Sequence, residues 1–297
     1  MKRAKEIVIL SGKGGTGKTT LAATLSKLFN NKVIVDADVD AADMFILLKP
    51  EKKRIEDFKG KSIAIIRQEK CTKCGICKKL CRFDAISFDD NQYKINPYLC
   101  DGCTLCEIAC PVDAIYMEQQ VVGQWYISDT EYGNMVHSTL YPGAENSGNL
   151  VTMVKHQAQL VAQDNNVKYL VVDGPPGIGC PVTSSLSGAT LSILVTEPTY
   201  SGIHDLKRVY EISKHFKVPA TIVINKYDLN IDHSKEIEEF AKDNNITIIG
   251  KIPFDKSIVE AQINLKTPYE YEYCSQEIKK EFFQIYLNIV KILEDLS

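Results

Sequence analysis

Gly12-Lys13-Gly14-Gly15-Thr16-Gly17-Lys18-Thr19 is the stretch on which the fold of this chain turns. It fits G-x-x-x-x-G-K-[ST], follows an apolar run at 6–10 and precedes a helical pattern over 18–29. A glycine-rich turn between strand and helix lets successive backbone N–H groups converge on phosphate oxygens, and the positive end of the helix adds to the attraction. Lys18 then neutralises the β- and γ-phosphates, Thr19 ligates Mg²⁺, and Thr20 completes the nucleotide-binding set.

Outward from this loop, short β-branched runs alternate with helical patterns, which predicts an α/β fold with a mostly parallel sheet. Strands are expected over 6–10, 32–35, 168–172, 190–195, 220–224 and 246–250. Helices are expected over 18–29, 149–162, 202–215, 234–243 and 276–293. In the last helix, Ile278, Phe282, Ile285, Ile289, Ile292 and Leu296 form an apolar stripe. The opposite face carries mixed charges, which predicts a helix docked on the core and not a membrane anchor. Residues 121–148 show no periodicity and read as a return connection.

The 297 residues hold 35 Lys+Arg against 38 Asp+Glu, a net charge of −3. That balance offers no electrostatic footprint for nucleic acid or an anionic membrane, so neither is an expected partner. Apolar runs are too short to span a bilayer, and the first strand leaves no room for a secretory signal, so a cytoplasmic location is expected.

Ten cysteines occur, eight of them between positions 71 and 110. The run CTKCGICKKLCRFDAIS at 71–87 aligns with CDGCTLCEIACPVDAIY at 100–116, with four cysteines and an Asp-Ala-Ile in common. C-x₂-C-x₂-C-x₃-C, twice, is the bacterial ferredoxin arrangement for two [4Fe–4S] clusters, in which the fourth cysteine of each run serves the other cluster. One set is then Cys71, Cys74, Cys77 and Cys110; the other is Cys100, Cys103, Cys106 and Cys81. Paired C-x₂-C units also make zinc sites, but two tandem four-cysteine runs favour clusters. The expected division is 1–59 and 120–297 for the P-loop domain, with 60–119 inserted as a ferredoxin domain.

The second lysine of the loop, Lys13, carries a resemblance. KGGTGKT is similar to the deviant Walker A loops of MinD and ParA, Mrp-type iron–sulfur carriers and the nitrogenase iron protein. It implies that Lys13 reaches a partner's nucleotide in an ATP-sandwiched homodimer or heterodimer. In Val33-Ile34-Val35-Asp36-Ala37-Asp38, Asp38 resembles the residue that orients the attacking water, with Asp36 and Asp40 as weaker matches. Leu170-Val171-Val172-Asp173 with the following Gly174-Pro175-Pro176-Gly177 resembles the Walker B strand and second switch. Asn225 resembles the adenine-reading residue, and Pro253-Phe254-Asp255 the loop covering the base; Asn-Lys-x-Asp also occurs in GTPases. Thr196-Glu197-Pro198-Thr199, Gly202, His204–Lys207 and Asn146-Ser147-Gly148 extend the likeness to MinD-superfamily ATPases with an inserted ferredoxin domain.

That resemblance implies an ATPase whose dimer switching is coupled to electron transfer, or to delivery of a metal cluster, with a redox or metal-cofactor partner protein. Cys180, seven residues past Asp173, matches the offset of a cluster-ligating cysteine in the nitrogenase iron protein. Its two readings are a thiolate ligand at a dimer interface, with His137 one source of further ligands, or a small buried hydrophobe. Cys274 reads as a packing residue. His156, His204, His215 and His233 read as surface or packing residues.

Overall fold

The computed structural model describes residues 3–144 and 148–296. Asn146 and Ser147 therefore lie outside the described residues. From the N-terminus, β1 (Lys5–Ser11), α1 (Lys18–Leu28), β2 (Lys32–Asp36) and the short α2 (Met44–Leu48) lead into a 16-residue strand, β3 (Glu51–Ile66). Next come α3 (Ile76–Leu80), the hairpin of β4 (Ile86–Asp89) and β5 (Gln92–Ile95), α4 (Leu105–Ile108) and a second 16-residue strand, β6 (Ile115–Thr130). Then follow β7 (Gly133–Leu140), α5 (Asn149–Asp164), β8 (Tyr169–Pro176), α6 (Cys180–Leu186), β9 (Leu191–Thr196) and α7 (Tyr200–His215). The chain continues through β10 (Ala220–Asn225), α8 (Ile231–Asp243), β11 (Thr247–Ile252), α9 (Lys256–Ile263) and α10 (Gln276–Asp295).

Nine strands form one sheet in the order β11-β10-β9-β1-β8-β2-β7-β6-β3. The pairings from β11 to β7 are all parallel. β1, β2, β8 and β9 are buried almost end to end, which is why their sequences run apolar without alternation. α10 lays Ile278, Phe282, Ile285, Ile289 and Leu293 into the same core as Ile7, Phe29 and Ile193. The stripe is corrected in its last turn: Leu293 is buried, Ile292 only partly, and Leu296 is exposed. The 3.6-residue period carries the buried face from 289 to 293. Among the described residues, no helix is long and apolar enough to cross a membrane.

Two regions depart from expectation. Residues 121–140 are not a bare connection: they hold the end of β6 and all of β7, joined by a two-residue turn at Glu131 and Tyr132. Residues 51–60 are an edge strand exposed on both faces except at Phe58, so no alternation marks them.

The chain forms two compact units, one of Met1–Glu56 with Trp125–Ser297 and one of Asp57–Gln124; the divisions fall within β3 and β6. In the second unit the sequence repeat is also a backbone repeat. Left-handed residues recur at matched places: Lys73 with Gly102, Gly75 with Thr104, and Asp84 with Asp113. Each run contains a short helix, α3 or α4, and Lys79 N–H to Gly75 C=O is matched by Ile108 N–H to Thr104 C=O. The ends of the repeats are exchanged: Arg67 N–H donates to Ala114 C=O at 2.7 Å, and its counterpart Asn96 donates to Ala85 C=O at 2.8 Å.

Candidate functional site

The glycine loop winds from the end of β1 into α1. Gly17 caps the helix with φ of 90°, and a Cβ there would lie 2.4 Å from Asn225 Nδ2. Only glycine meets both demands. A Cβ on Gly12 would lie 2.3 Å from Asp205 Cβ, so α7 closes directly over the start of the loop. Asn225, at the tip of β10, donates to Thr16 C=O at 2.8 Å and accepts from Lys226 N–H at 3.0 Å. The amide nitrogen thus braces the loop, while the amide oxygen fixes the turn after β10.

Lys18 is buried, with its Nζ 3.0 Å from Asp38 Oδ2 and 2.9 Å from Asp173 Oδ1. Burial pulls the ammonium down, but Asp173 and then Asp38 outweigh it and raise it to about 12, so its charge stays on. The Asp38 carboxyl is nevertheless raised, because its burial and its closeness to Asp173 oppose the Lys18 contact. Asp36, fully buried, is pushed well above the ordinary carboxyl range by burial and then by Asp173. It accepts from the Asp38 and Met44 N–H groups at 3.2 and 3.3 Å and so shapes the loop after β2. Asp40 is exposed.

Asp173 Oδ2 and Thr16 Oγ1 are buried without a hydrogen-bond partner among the described residues. Such groups are costly unless something completes them. The unsatisfied Asp173 oxygen suits a divalent cation or a water bound to one, and the Thr16 hydroxyl suits a phosphate oxygen. The residues present therefore fit Mg²⁺ and a nucleotide. A cleft of about 450 Å³ opens over Gly14–Thr20, with Asp38, Asn225 and Gln262 in its wall. Thr19 lines it, and Thr20 Oγ1 accepts from Gln262 Nε2 at 2.6 Å. At the expected base-covering loop the cleft is walled by Ile252, Val259 and Gln262, whereas Pro253 and Asp255 do not line it. The Asp255 carboxylate caps α9, accepting from Ser257 N–H at 2.8 Å.

Lys13 is held within its own chain. Its Nζ lies 2.6 Å from Glu197 Oε1 and 3.0 Å from Ser201 Oγ. Glu197 Oε2 also takes Lys226 at 3.1 Å. Burial works against the Glu197 carboxylate, but hydrogen bonds from Lys13 and Lys226 hold it below its ordinary value. The Thr-Glu-Pro-Thr motif marked this segment without revealing that its Glu clamps both lysines.

The eight cysteines of the second unit gather in two separate cavities. Cys71, Cys74, Cys77 and Cys110 line one; Cys81, Cys100, Cys103 and Cys106 line the other. Each cavity thus takes three sulfurs from one run and the fourth from the other. Burial and then the Cys71, Cys74 and Cys110 sulfurs raise the Cys77 thiol. The Cys106 thiol is pushed to about 11 by burial and then by Cys100. Ala114 N–H donates to Cys110 Sγ at 3.3 Å. Four mutually crowded sulfurs around one cavity fit a multi-iron cluster, whose thiolate charge is spread over several metals. Among the described residues, no group of three or more His, Cys, Asp or Glu has the geometry to hold a single metal ion.

Cys180 is exposed at the start of α6, which excludes the reading as a buried hydrophobe. His137 is no neighbouring ligand: it is buried on β7, 2.9 Å from Ser128 Oγ. Cys274 is buried, accepting from Ser257 Oγ at 3.4 Å.

Comparison with known proteins supplies the remaining findings. Residues 7–268 match the model of the CobQ/CobB/MinD/ParA nucleotide binding domain. An uncharacterized protein of Methanocaldococcus jannaschii is 34% identical over 228 residues, covering 76% of this chain and 79% of its own. An iron–sulfur cluster carrier protein of Pyrococcus abyssi is 23% identical over 98% of this chain and 88% of its own. A 7Fe ferredoxin of Hydrogenibacillus schlegelii is 40% identical over 65 residues, covering 21% of this chain and 83% of its own. The structure of the septum site-determining protein MinD with Mg-ADP from Pyrococcus horikoshii superposes with a TM-score of 0.59, at 17% identity, over 99% of both chains. The fold is thus MinD-like.

Proposed function

The chain belongs to the CobQ/CobB/MinD/ParA nucleotide-binding domain family, and from that premise we propose that it is an ATP-hydrolysing iron–sulfur protein. In this reading, nucleotide-driven dimer switching is coupled to electron transfer through two [4Fe–4S] clusters to a partner protein or metal cofactor. The observation that carries the proposal is the exchange of the fourth cysteine between the two cavities. It brings two four-thiolate sets into a chain that also carries a phosphate loop.

At the nucleotide site, a bound triphosphate competes with Asp38 and Asp173 for the Lys18 ammonium. Once Lys18 turns to the phosphates, the Asp38 carboxylate is free to accept a hydrogen bond from the attacking water and orient it. The Thr19 hydroxyl and Asp173 would hold Mg²⁺, which when bound would neutralise charge on the phosphate oxygens. Loop N–H groups of Gly14–Lys18 hold the phosphates in place, and Asn225 keeps that loop in shape. Lys13 reaches the nucleotide of a second subunit, which requires it to leave Glu197. The segment from Asp173 to Cys180 responds to the γ-phosphate as a two-state switch, and the exposed Cys180 thiol contacts the acceptor or its metal. The cysteine sets of the second unit would hold the clusters, which when bound would supply one-electron storage.

The test is anaerobic purification with iron and acid-labile sulfide counts, followed by EPR with MgATP and with MgADP. About eight irons per chain, with matching sulfide, is the expected result; zinc without sulfide overturns it. Cluster oxidation rates identical with both nucleotides overturn the coupling. A second reading, delivery of an iron–sulfur cluster, is favoured by the Pyrococcus abyssi carrier's similarity over nearly the whole chain. Cys180→Ser separates the two. Loss of bound cargo with normal reduction of the two clusters supports delivery, and loss of ATP-dependent electron transfer supports the redox reading.

A further inference from the structure

The two cysteine runs share a backbone but not a charge. The run at 71–87 carries Lys73, Lys78, Lys79 and Arg82 against a single Asp84. The run at 100–116 carries Asp101, Glu107 and Asp113 and no basic residue. Matched through the repeat, Thr72 corresponds to Asp101, Lys73 to Gly102, Lys78 to Glu107, Lys79 to Ile108 and Arg82 to Pro111. Asp84 and Asp113 cancel. The backbone at these places is closely matched, with φ of 59° and 73° at Lys73 and Gly102 and of 50° and 49° at Asp84 and Asp113. Thr72 and Asp101 each line the cavity that takes three sulfurs from their own run.

Lys78 directly follows Cys77, and Glu107 directly follows Cys106. The exchanged sulfurs work slightly the other way, since Arg82 follows Cys81 and Asp113 lies close after Cys110. Each cavity, however, draws three of its four sulfurs from one run, so the charge of that run prevails. No ion pair among the described residues neutralises Lys73, Lys78, Lys79, Asp101 or Glu107.

We propose that this asymmetry polarises the pair of sites. The cavity of Cys71, Cys74, Cys77 and Cys110 is the electron-accepting one, and the cavity of Cys100, Cys103, Cys106 and Cys81 is the electron-donating one. The inference rests on both cavities being [4Fe–4S] sites. An added electron makes a site one unit more negative, so nearby lysines favour the reduced form and nearby carboxylates oppose it. In the singly reduced protein, one electron leaves the [4Fe–4S]¹⁺ form at the acidic site, which becomes 2+. It reduces the 2+ form at the basic site to 1+, and no proton or ligand moves. The charges involved are largely exposed, so salt weakens the preference.

The experiment is a potentiometric titration of the anaerobic, cluster-loaded full-length protein, with dithionite as one-electron reductant and EPR as the readout. At low ionic strength two one-electron steps are expected. They should be separated by at least tenfold in occupancy, about 59 mV for one electron, and should converge at high salt. Lys78→Glu lowers the upper step alone, and Asp101→Asn raises the lower step alone, with iron and sulfide counts unchanged. If Lys78→Glu loses iron, Asp101→Asn decides by itself. Coincident steps in the unaltered protein, or a shift of the opposite step in either variant, overturn the polarity while leaving two clusters in place. A preparation lacking iron and sulfide overturns the cluster reading itself, and the polarity with it.

Discussion

In the unit of Met1–Glu56 and Trp125–Ser297, a parallel sheet buries Ile7, Ile9, Leu21, Phe29, Ile34, Phe282 and many further apolar side chains in one core. In the unit of Asp57–Gln124, the buried cluster among the described residues is smaller, built on Ile63, Ala64, Ala85, Cys100 and Ile115 with Ile65, Ile66, Phe83 and Ile95 packed against it. The first unit has enough apolar contact to hold the buried group of Lys18, Asp36, Asp38 and Asp173. The second has short helices, a two-stranded hairpin and cysteine-lined cavities in place of a large core, and a core that small supplies little stability by itself. The lesson is that one polypeptide keeps two chemistries in order by two means. Hydrophobic burial positions the carboxylates, and in the proposed reading metal–thiolate bonds complete the cysteine unit.

The largest effect is expected from removing proposed thiolate ligands. Cys77→Ser together with Cys106→Ser is expected to leave the amides of β4 and β5 exchanging with solvent within about tenfold of the unfolded-chain rate, while β1 and β8 stay protected. Hydrogen exchange measured by mass spectrometry reads both units in one experiment. Protected β4 and β5 amides in that variant refute the metal-dependent fold.

A smaller effect is expected from Lys18→Met, which strands Asp38 and Asp173 in a buried site. ATP hydrolysis should fall by roughly 10²–10³-fold, and stability at pH 7 by about 3–5 kcal/mol. Because protonation removes the stranded charge, the stability loss should shrink as pH falls. Urea denaturation at pH 5 and pH 8 checks the sign. A deficit that grows in acid overturns the account of this triad.

The mildest test concerns His137, whose imidazole is lowered from 6.5 to about 4 by burial and then by Lys52. The folded state binds fewer protons than the unfolded chain in this window. The stabilisation is therefore complete above about pH 6.5 and is lost as pH falls towards 4. The loss is on the order of 3 kcal/mol, and His137→Asn should flatten that part of the stability–pH curve. A curve unchanged by the substitution shows that His137 is not the group being titrated.

Much of the fold was legible because the strands of the parallel sheet are buried on both faces and read as unbroken apolar runs. Residues 51–60 of β3 were not, since they have almost no buried face to impose a period. β6 and β7 were missed because His137, Ser128 and Ser138 are polar residues in buried places, satisfied in part by the Ser128–His137 bond. At the nucleotide site, Lys18, Asp38 and Asp173 were each marked by a local motif and meet within hydrogen-bond distance. Glu197 as the clamp on Lys13 was not legible, because the two are 184 positions apart and come together through the pairing of β9 with β1.

By itself, then, the order of residues determined the phosphate loop, the alternation of strands and helices, and the doubled cysteine spacing, because each is a local pattern enforced by backbone geometry. Tertiary structure alone decided which carboxylates share Lys18, where Lys13 rests, and that residue 255 caps a helix instead of lining the cleft. These are contacts between distant segments, whose outcome depends on burial and on competition among charges in a common space, and no local spacing records that competition.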